Sequence, residues 1–177
     1  LGRLIRSTAR DENGSVTQRT EHLYDAFNRL SGQSWTLDSQ TYSERYAYSD
    51  GEKGDGSLTS MTAATGDSLE FGYDALKRLN RVTVKNGSSV ILNTAYAYRD
   101  VSWNRGSAQV EFRNVRLGSD SGMLLEGKKY VYDDVGNLKE IRESTGKYNM
   151  LVEYTYDSQN QLTSEAYYKS GEAEAYI

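Results

Sequence analysis

Tyr130-Val131-Tyr132-Asp133-Asp134-Val135-Gly136-Asn137-Leu138 reads as the end of one β-strand, a tight turn and the start of the next strand. Tyr130 and Tyr132 are two residues apart and share one face of a strand. Asp133 has a side chain short enough to accept a backbone N–H further along and nucleate the turn. Gly136 supplies a positive φ without steric penalty. Leu138 then restarts an apolar face. The same grammar returns at Tyr24-Asp25-Ala26-Phe27-Asn28-Arg29-Leu30, at Tyr73-Asp74-Ala75-Leu76-Lys77-Arg78-Leu79 and at Tyr156-Asp157-Ser158-Gln159-Asn160-Gln161-Leu162.

An aromatic residue sits two positions before each ruler tyrosine: His22 before Tyr24, Tyr46 before Tyr48, Phe71 before Tyr73, Tyr96 before Tyr98, Tyr130 before Tyr132 and Tyr154 before Tyr156. The successive spacings are 24, 25, 25, 34 and 24 residues. A self-similar period of that size is the signature of an array of small supersecondary units. The units at Tyr48 and Tyr98 have lost the Asp, and Gly2-Arg3-Leu4 matches the tail of a turn whose Tyr-Asp lies upstream, so the chain is expected to be a piece of a longer one.

Between turns the apolar residues alternate with polar ones, as in a strand with one face covered. Trp35 and Leu37 alternate on the way out of one turn, and Tyr42, Tyr46 and Tyr48 on the way to the next. Each unit is therefore a strand leaving a Tyr-Asp turn and a strand returning to the next, a hairpin meander. Asp38-Ser39-Gln40, Gly66-Asp67 and Ser144-Thr145-Gly146-Lys147 mark the far-end turns. Asn13-Gly14 and Asn86-Gly87 are predicted as two-residue hairpin turns, because both residues accept positive φ. Lys77 stands at the glycine position of its turn and is expected to strain it toward another geometry. The long spacing places an insertion within residues 99–129. No long segment holds an apolar period of 3.6 residues.

Composition agrees. The chain has 177 residues, enough for one ordinary domain, with 15 Tyr against 3 Phe, 16 Gly and no Pro. Tyrosine suits a surface that is apolar at the ring and wet at the hydroxyl. Proline would remove a ladder donor, so its absence fits a chain of paired strands. The net charge of −4 argues against a nucleic-acid partner. With no Cys, disulfides and thiolate metal sites are excluded. No apolar run approaches the length of a membrane span.

Candidate chemistry is sparse. His22 is the only histidine and has no ligand cluster in sequence, so it reads as a flat ring in an aromatic row. Asp25, Asp74, Asp133 and Asp157 recur at the repeat spacing as turn formers rather than as a catalytic pair. The acidic loop 50–56 departs from calcium-loop spacing and carries a Lys. No phosphate loop and no Ser-His-Asp set is visible. We therefore expect no catalytic residue, no metal and no cofactor. Trp103, within the insertion, is the candidate for a ligand-binding surface.

The pattern Tyr-x-Tyr-Asp-x-x-Gly-Asn-Leu resembles the YD repeat of the RHS family, which includes bacterial Rhs and wall-associated polymorphic toxins, the C component of Tc insecticidal toxin complexes and teneurin ectodomains. The residues that carry the resemblance are Tyr24, Asp25, Leu30, Tyr73, Asp74, Leu79, Tyr132, Asp133, Gly136, Leu138, Tyr156, Asp157 and Leu162. The last two units depart from it, with Asn137 and Gln161 at the Arg position. The resemblance implies an all-β architecture, a segment of a spiralling sheet that closes into a hollow shell, with residues 1–177 as a single array. It implies a structural, non-enzymatic role in a large secreted or surface protein, the shell of a bacterial polymorphic toxin. The implied partners are other repeats of the same chain and an enclosed C-terminal toxin domain. The family's self-cleaving segment uses Asp-Pro motifs, and a chain without Pro does not contain it. The competing reading is an extracellular carbohydrate- or receptor-binding adhesion module that uses Trp103 and the insertion. A hydrolase built on the dispersed carboxylates is the third.

Overall fold

The computed structural model describes residues 2–37, 39–50, 55–100, 107–145 and 148–169. It is all-β, with thirteen strands and no helix among these residues: β1 (Arg6–Arg10), β2 (Val16–Tyr24), β3 (Leu30–Leu37), β4 (Gln40–Tyr48), β5 (Leu58–Ala63), β6 (Ser68–Tyr73), β7 (Leu79–Asn86), β8 (Ser89–Tyr98), β9 (Val110–Leu117), β10 (Leu124–Tyr132), β11 (Leu138–Thr145), β12 (Asn149–Tyr156) and β13 (Leu162–Lys169). The strands follow one another in chain order in one sheet. Two compact units emerge, Leu1–Phe71 with Val84–Ser89, and Gly72–Thr83 with Val90–Ile177.

The Tyr-Asp turn is a three-residue loop closed by a residue in the left-handed region. Asp25 N–H donates to Arg29 O at 2.9 Å, Asn28 N–H donates to Asp25 O at 3.1 Å, and Asn28 has φ 73°. The turns at Asp74, Asp133 and Asp157 have the same pair of bonds, with φ of 65° at Lys77, 99° at Gly136 and 61° at Asn160. Lys77 therefore does not force a different turn. The carboxylate of Asp74 accepts Leu76 N–H at 2.9 Å and Arg78 N–H at 3.0 Å, and these bonds outweigh the cost of positive φ on a side-chain-bearing residue.

The register explains the spacing of Tyr and Leu within the motif. Tyr24 pairs with Leu30, Tyr132 with Leu138 and Tyr156 with Leu162, each beside a bulge that skips one residue. The pairs Tyr48–Leu58 and Tyr98–Val110 repeat that bulge where the motif has decayed. A bulge bends and twists the strand locally, and here it does so at every ruler tyrosine whose pairing is described.

Two expected hairpins differ in detail. Asn13-Gly14 belongs to a wider loop, Asp11 to Ser15, in which Asp11 accepts Asn13 N–H and Ser15 N–H at 2.9 and 2.8 Å. It is a Tyr-Asp-type turn without the Tyr, and its aspartate outcompetes the tighter Asn-Gly geometry. At the other site Asn86 is the last residue of β7, and Gly87-Ser88 makes the turn with positive φ at Gly87 alone.

Paired residues point to the same side of a sheet, so the register sorts each unit into two faces. In the first unit His22, Gln33, Glu44 and Tyr46 follow one another across β2 to β4, with Met61 and Leu69 beyond, on the tyrosine face. The opposite face there carries Arg19, Thr36 and Thr41 in one row and Glu21, Ser34 and Ser43 in another. In the second unit the tyrosine face holds Tyr130, Ile141, Val152 and Tyr167 in one row. Its opposite face holds Phe112, Lys129, Arg142, Leu151 and Tyr168. Val152, 4% exposed, is the one buried large hydrophobic side chain among the described residues. The hydrophobic gain is thus spread over many half-covered rings and aliphatic stems rather than gathered in a core.

Candidate functional site

The ends of the Tyr-Asp turns form a recurring seam of hydrogen bonds. Each seam begins with a strand-end tyrosine. Tyr48 Oη donates to Leu30 O at 2.7 Å, Tyr98 Oη to Leu79 O at 2.7 Å, Tyr132 Oη to Val110 O at 2.9 Å and Tyr156 Oη to Leu138 O at 2.8 Å. Tyr24 does the same to Leu4 O at 3.0 Å. The bulge frees a carbonyl at the first residue of the outgoing strand, and the tyrosine of the returning strand satisfies it.

The arginine of the motif crosses the same gap. Arg29 Nε donates to Asp25 Oδ2 at 2.6 Å, and its Nη2 reaches Asp50 Oδ1 at 2.7 Å. The same guanidinium lies 4.3 Å from the ring centre of Tyr48. In the second unit Arg78 binds Asp74 Oδ2 at 2.6 Å, lies 4.3 Å over Tyr98 and donates to Ser107 O. Arg3 stacks on Tyr24 at 4.9 Å. Arg29 and Arg78 thus join their own turns to the next ruler tyrosine along the chain.

Charge and hydrogen bonding hold the carboxylates ionised. Burial pushes Asp25 and Asp74 up, but the backbone N–H and guanidinium of Arg29 and Arg78 outweigh it, and both fall below the usual Asp value. Asp133 is likewise lowered against its own burial, by the backbone N–H and side-chain amide of Asn137. Aspartates with their oxygens filled by donors are holders of backbone, not general acids. Elsewhere on the tyrosine face, burial and the bond to Glu44 push the Tyr46 phenol up to about 12.

Two of the sequence candidates occupy similar structural roles. His22 is half-buried in β2 opposite Gln33. No group of three potential metal-ligating side chains exists among the described residues. Of the acidic loop, residues 51–54 lie outside the described residues, Asp50 binds Arg29 and Asp55 binds Ser49. Trp35 stacks on Tyr42 across the β3–β4 hairpin, centroids 5.9 Å apart and planes 17° apart. Trp103 lies outside the described residues.

Residues 132–173 match the family model RHS Repeat. A solved structure of the Tc holotoxin pore of Photorhabdus luminescens superposes with a TM-score of 0.71 at 16% identity, over 97% of this chain and 9% of that one. Residues 132–173 are thus an RHS repeat. At that identity the structural likeness is one of fold, and the array spans about a tenth of the length of the matched chain. A crystal structure of TcdB2-TccC3-Cdc42 matches with a TM-score of 0.39 at 14% identity, over 97% of this chain and 13% of that one, too low a score to carry an argument. No curated protein matches. Among the described residues no helix is long and apolar enough to cross a membrane.

In sequence, the Arg four residues after the turn aspartate is a mere position in the motif. Its role was visible as a spacing, since Arg3, Arg29 and Arg78 precede Tyr24, Tyr48 and Tyr98 by 21, 19 and 20 residues.

Proposed function

We propose that this array is a wall segment of an RHS-type shell in a large secreted or surface-held protein, a scaffold rather than a catalyst. Residues 1–177 act as one continuous stretch of that wall, flanked by further YD repeats of the same chain, and the completed shell encloses a C-terminal toxin domain.

The observation that carries this reading is the seam. Its aspartates, arginines and tyrosines are committed to backbone and to one another, so the recurring polar residues hold strands rather than face a substrate. The thin interior points the same way. A repeat that cannot bury its own face is stabilised by its neighbours along the array.

The test uses the full-length protein that contains this array. The C-terminal domain is expected to resist protease while joined to an intact shell and to be digested at the same dose once expressed alone. Equal digestion in both forms, or a full-length protein with no domain beyond the repeats, overturns the enclosure.

A further inference from the structure

The opposite face of the second unit carries a depression that the seam does not use. Phe112, Leu124, Lys129, Arg142, Leu151 and Tyr168 line part of a hollow of about 670 Å³ over β9 to β13. Gly127, buried in the middle of β10, forms its floor. A Cβ there would meet Asn114 Oδ1 at 3.0 Å and Leu124 Cδ2 at 3.4 Å, so the glycine lets both side chains lie down against the strand. A glycine inside a central strand marks a place where something approaches the backbone closely. Phe112, Lys129, Arg142, Leu151 and Tyr168 follow one another from strand to strand. At the usual strand spacing that row is about 19 Å long.

The row is apolar at both ends and basic in the middle. Lys129 Nζ lies 5.2 Å from the ring centre of Phe112 and has no carboxylate partner among the described residues. Arg142 gives Nε and Nη2 to Glu140 Oε2 at 2.9 and 2.6 Å, which leaves Nη1 without an acceptor among them. Glu143 is the one acid of the lining, and Lys128 engages it at 3.2 Å. The hollow is thus locally basic in a chain whose net charge is −4. Asn114 and Ser144 flank Gly127 in register, and neither side chain has a hydrogen-bond partner among the described residues. An apolar hollow of this size with a few convergent polar groups is the usual form of a small-ligand site.

We propose that this hollow binds a free fatty acid, its carboxylate on Lys129 and Arg142 and its alkyl chain on the apolar side chains of the row. The carboxylate supplies the acceptor that the ammonium, the guanidinium and the Ser144 hydroxyl lack. An extended peptide is the rival occupant, and the sheet argues against it. Strands β10, β11 and β12 are each paired on both sides, so their backbone groups are engaged. A peptide laid across this face would have its N–H and C=O groups desolvated with few side chains to meet them, at a cost for each. An alkyl chain carries no such groups and gains with every methylene it buries. The proposal is independent of the shell reading.

The experiment is a calorimetric titration of the 177-residue chain with laurate, with dodecyl maltoside and with dodecyltrimethylammonium, each below its micellar concentration. The three ligands share one alkyl chain and differ in head-group charge. Laurate is expected to bind about tenfold or more tighter than the other two. Lys129→Met, which keeps the apolar stem and removes the charge, is expected to lose about tenfold for laurate and to leave dodecyl maltoside unchanged. Gly127→Val, which fills the floor, is expected to weaken laurate by about threefold or more. Arg10→Gln, which lies outside the hollow, is expected to bind laurate as the parent does. If Gly127→Val does not fold, Lys129→Met decides alone. Four results overturn the proposal: no binding of laurate, equal binding of the three head groups, unchanged laurate affinity in folded Lys129→Met, or displacement of laurate by an acetylated Phe-Asp-Leu peptide at equal or lower concentration, which would make the hollow a peptide groove.

Discussion

The turn from Asp74 to Arg78 and the turn from Asp157 to Gln161 have almost the same backbone. Their closing N–H to O bonds are both 2.9 Å, and the residues at positive φ, Lys77 and Asn160, differ by only 4°. In each, the aspartate accepts two backbone N–H groups, at 2.9 and 3.0 Å in the first and 2.8 and 2.9 Å in the second. They differ in reach. Arg78 grips Asp74, stacks on Tyr98 and bonds Ser107 O, whereas the bond given to Gln161 is from its own backbone to Asp157. The Asp133 turn lies between these extremes. Asn137 bonds Asp133 at 3.0 Å and extends to the side chain of Asn160 at 3.0 Å. Aspartate makes the turn, and the residue four positions later decides how firmly that turn is tied to the next one.

The sharpest way to break this comparison is to remove the two side chains that differ. Arg78→Ala is expected to destabilise the array by about 2 kcal/mol, since it removes charge-assisted hydrogen bonds and a cation–π contact together. Gln161→Ala should stay within about 0.5 kcal/mol. Urea unfolding measures both, and equal losses would refute the coupling role of the arginine. Tyr98→Phe and Tyr156→Phe should each cost about 1 kcal/mol, because each removes one hydroxyl-to-carbonyl bond. A loss confined to Tyr98 would mean that the tyrosine bond matters only where an arginine covers it.

Smaller effects sharpen the account of the loop itself. Gly136→Ala is expected to cost about 1 kcal/mol, and Asn160→Gly to gain a few tenths, as the left-handed position demands. A neutral Gly136→Ala would show that the aspartate bonds alone dictate the loop. Acid supplies the last comparison. Asp25, Asp74 and Asp133 are lowered from the ordinary value of 3.8. Their contribution is therefore full above about pH 4 and is lost as pH falls through their folded values. Asp74→Asn should flatten the acid limb of stability measured between about pH 4 and 2. An unchanged limb would show that its carboxylate charge contributes nothing.

Strands and Tyr-Asp turns were legible because their causes are local. Alternation at period two marks the strand, and an aspartate followed three residues later by Gly or Asn marks the turn. Lys77 and Asn13-Gly14 depart from expectation for one shared reason: an aspartate that accepts two backbone N–H groups outweighs the φ preference of a neighbour. The seam was only half legible. Its tyrosines and aspartates stood out as a motif, but the partner of Arg29 or Arg78 lies about twenty residues downstream and depends on how two hairpins meet.

The sequence by itself determined the all-β class, the repeat length and the position of the turns, since short-range sterics and hydrogen bonding dictate all three. The tertiary structure decided the register, with its bulge at each ruler tyrosine whose pairing is described, and with it which carbonyl each of their hydroxyls satisfies. It also decided the pairing of guanidinium with ring and the gathering of Phe112, Lys129 and Leu151 about one hollow. These depend on contacts between residues far apart in the chain, and a single-residue slip of register would have sent every one of those side chains to the other face.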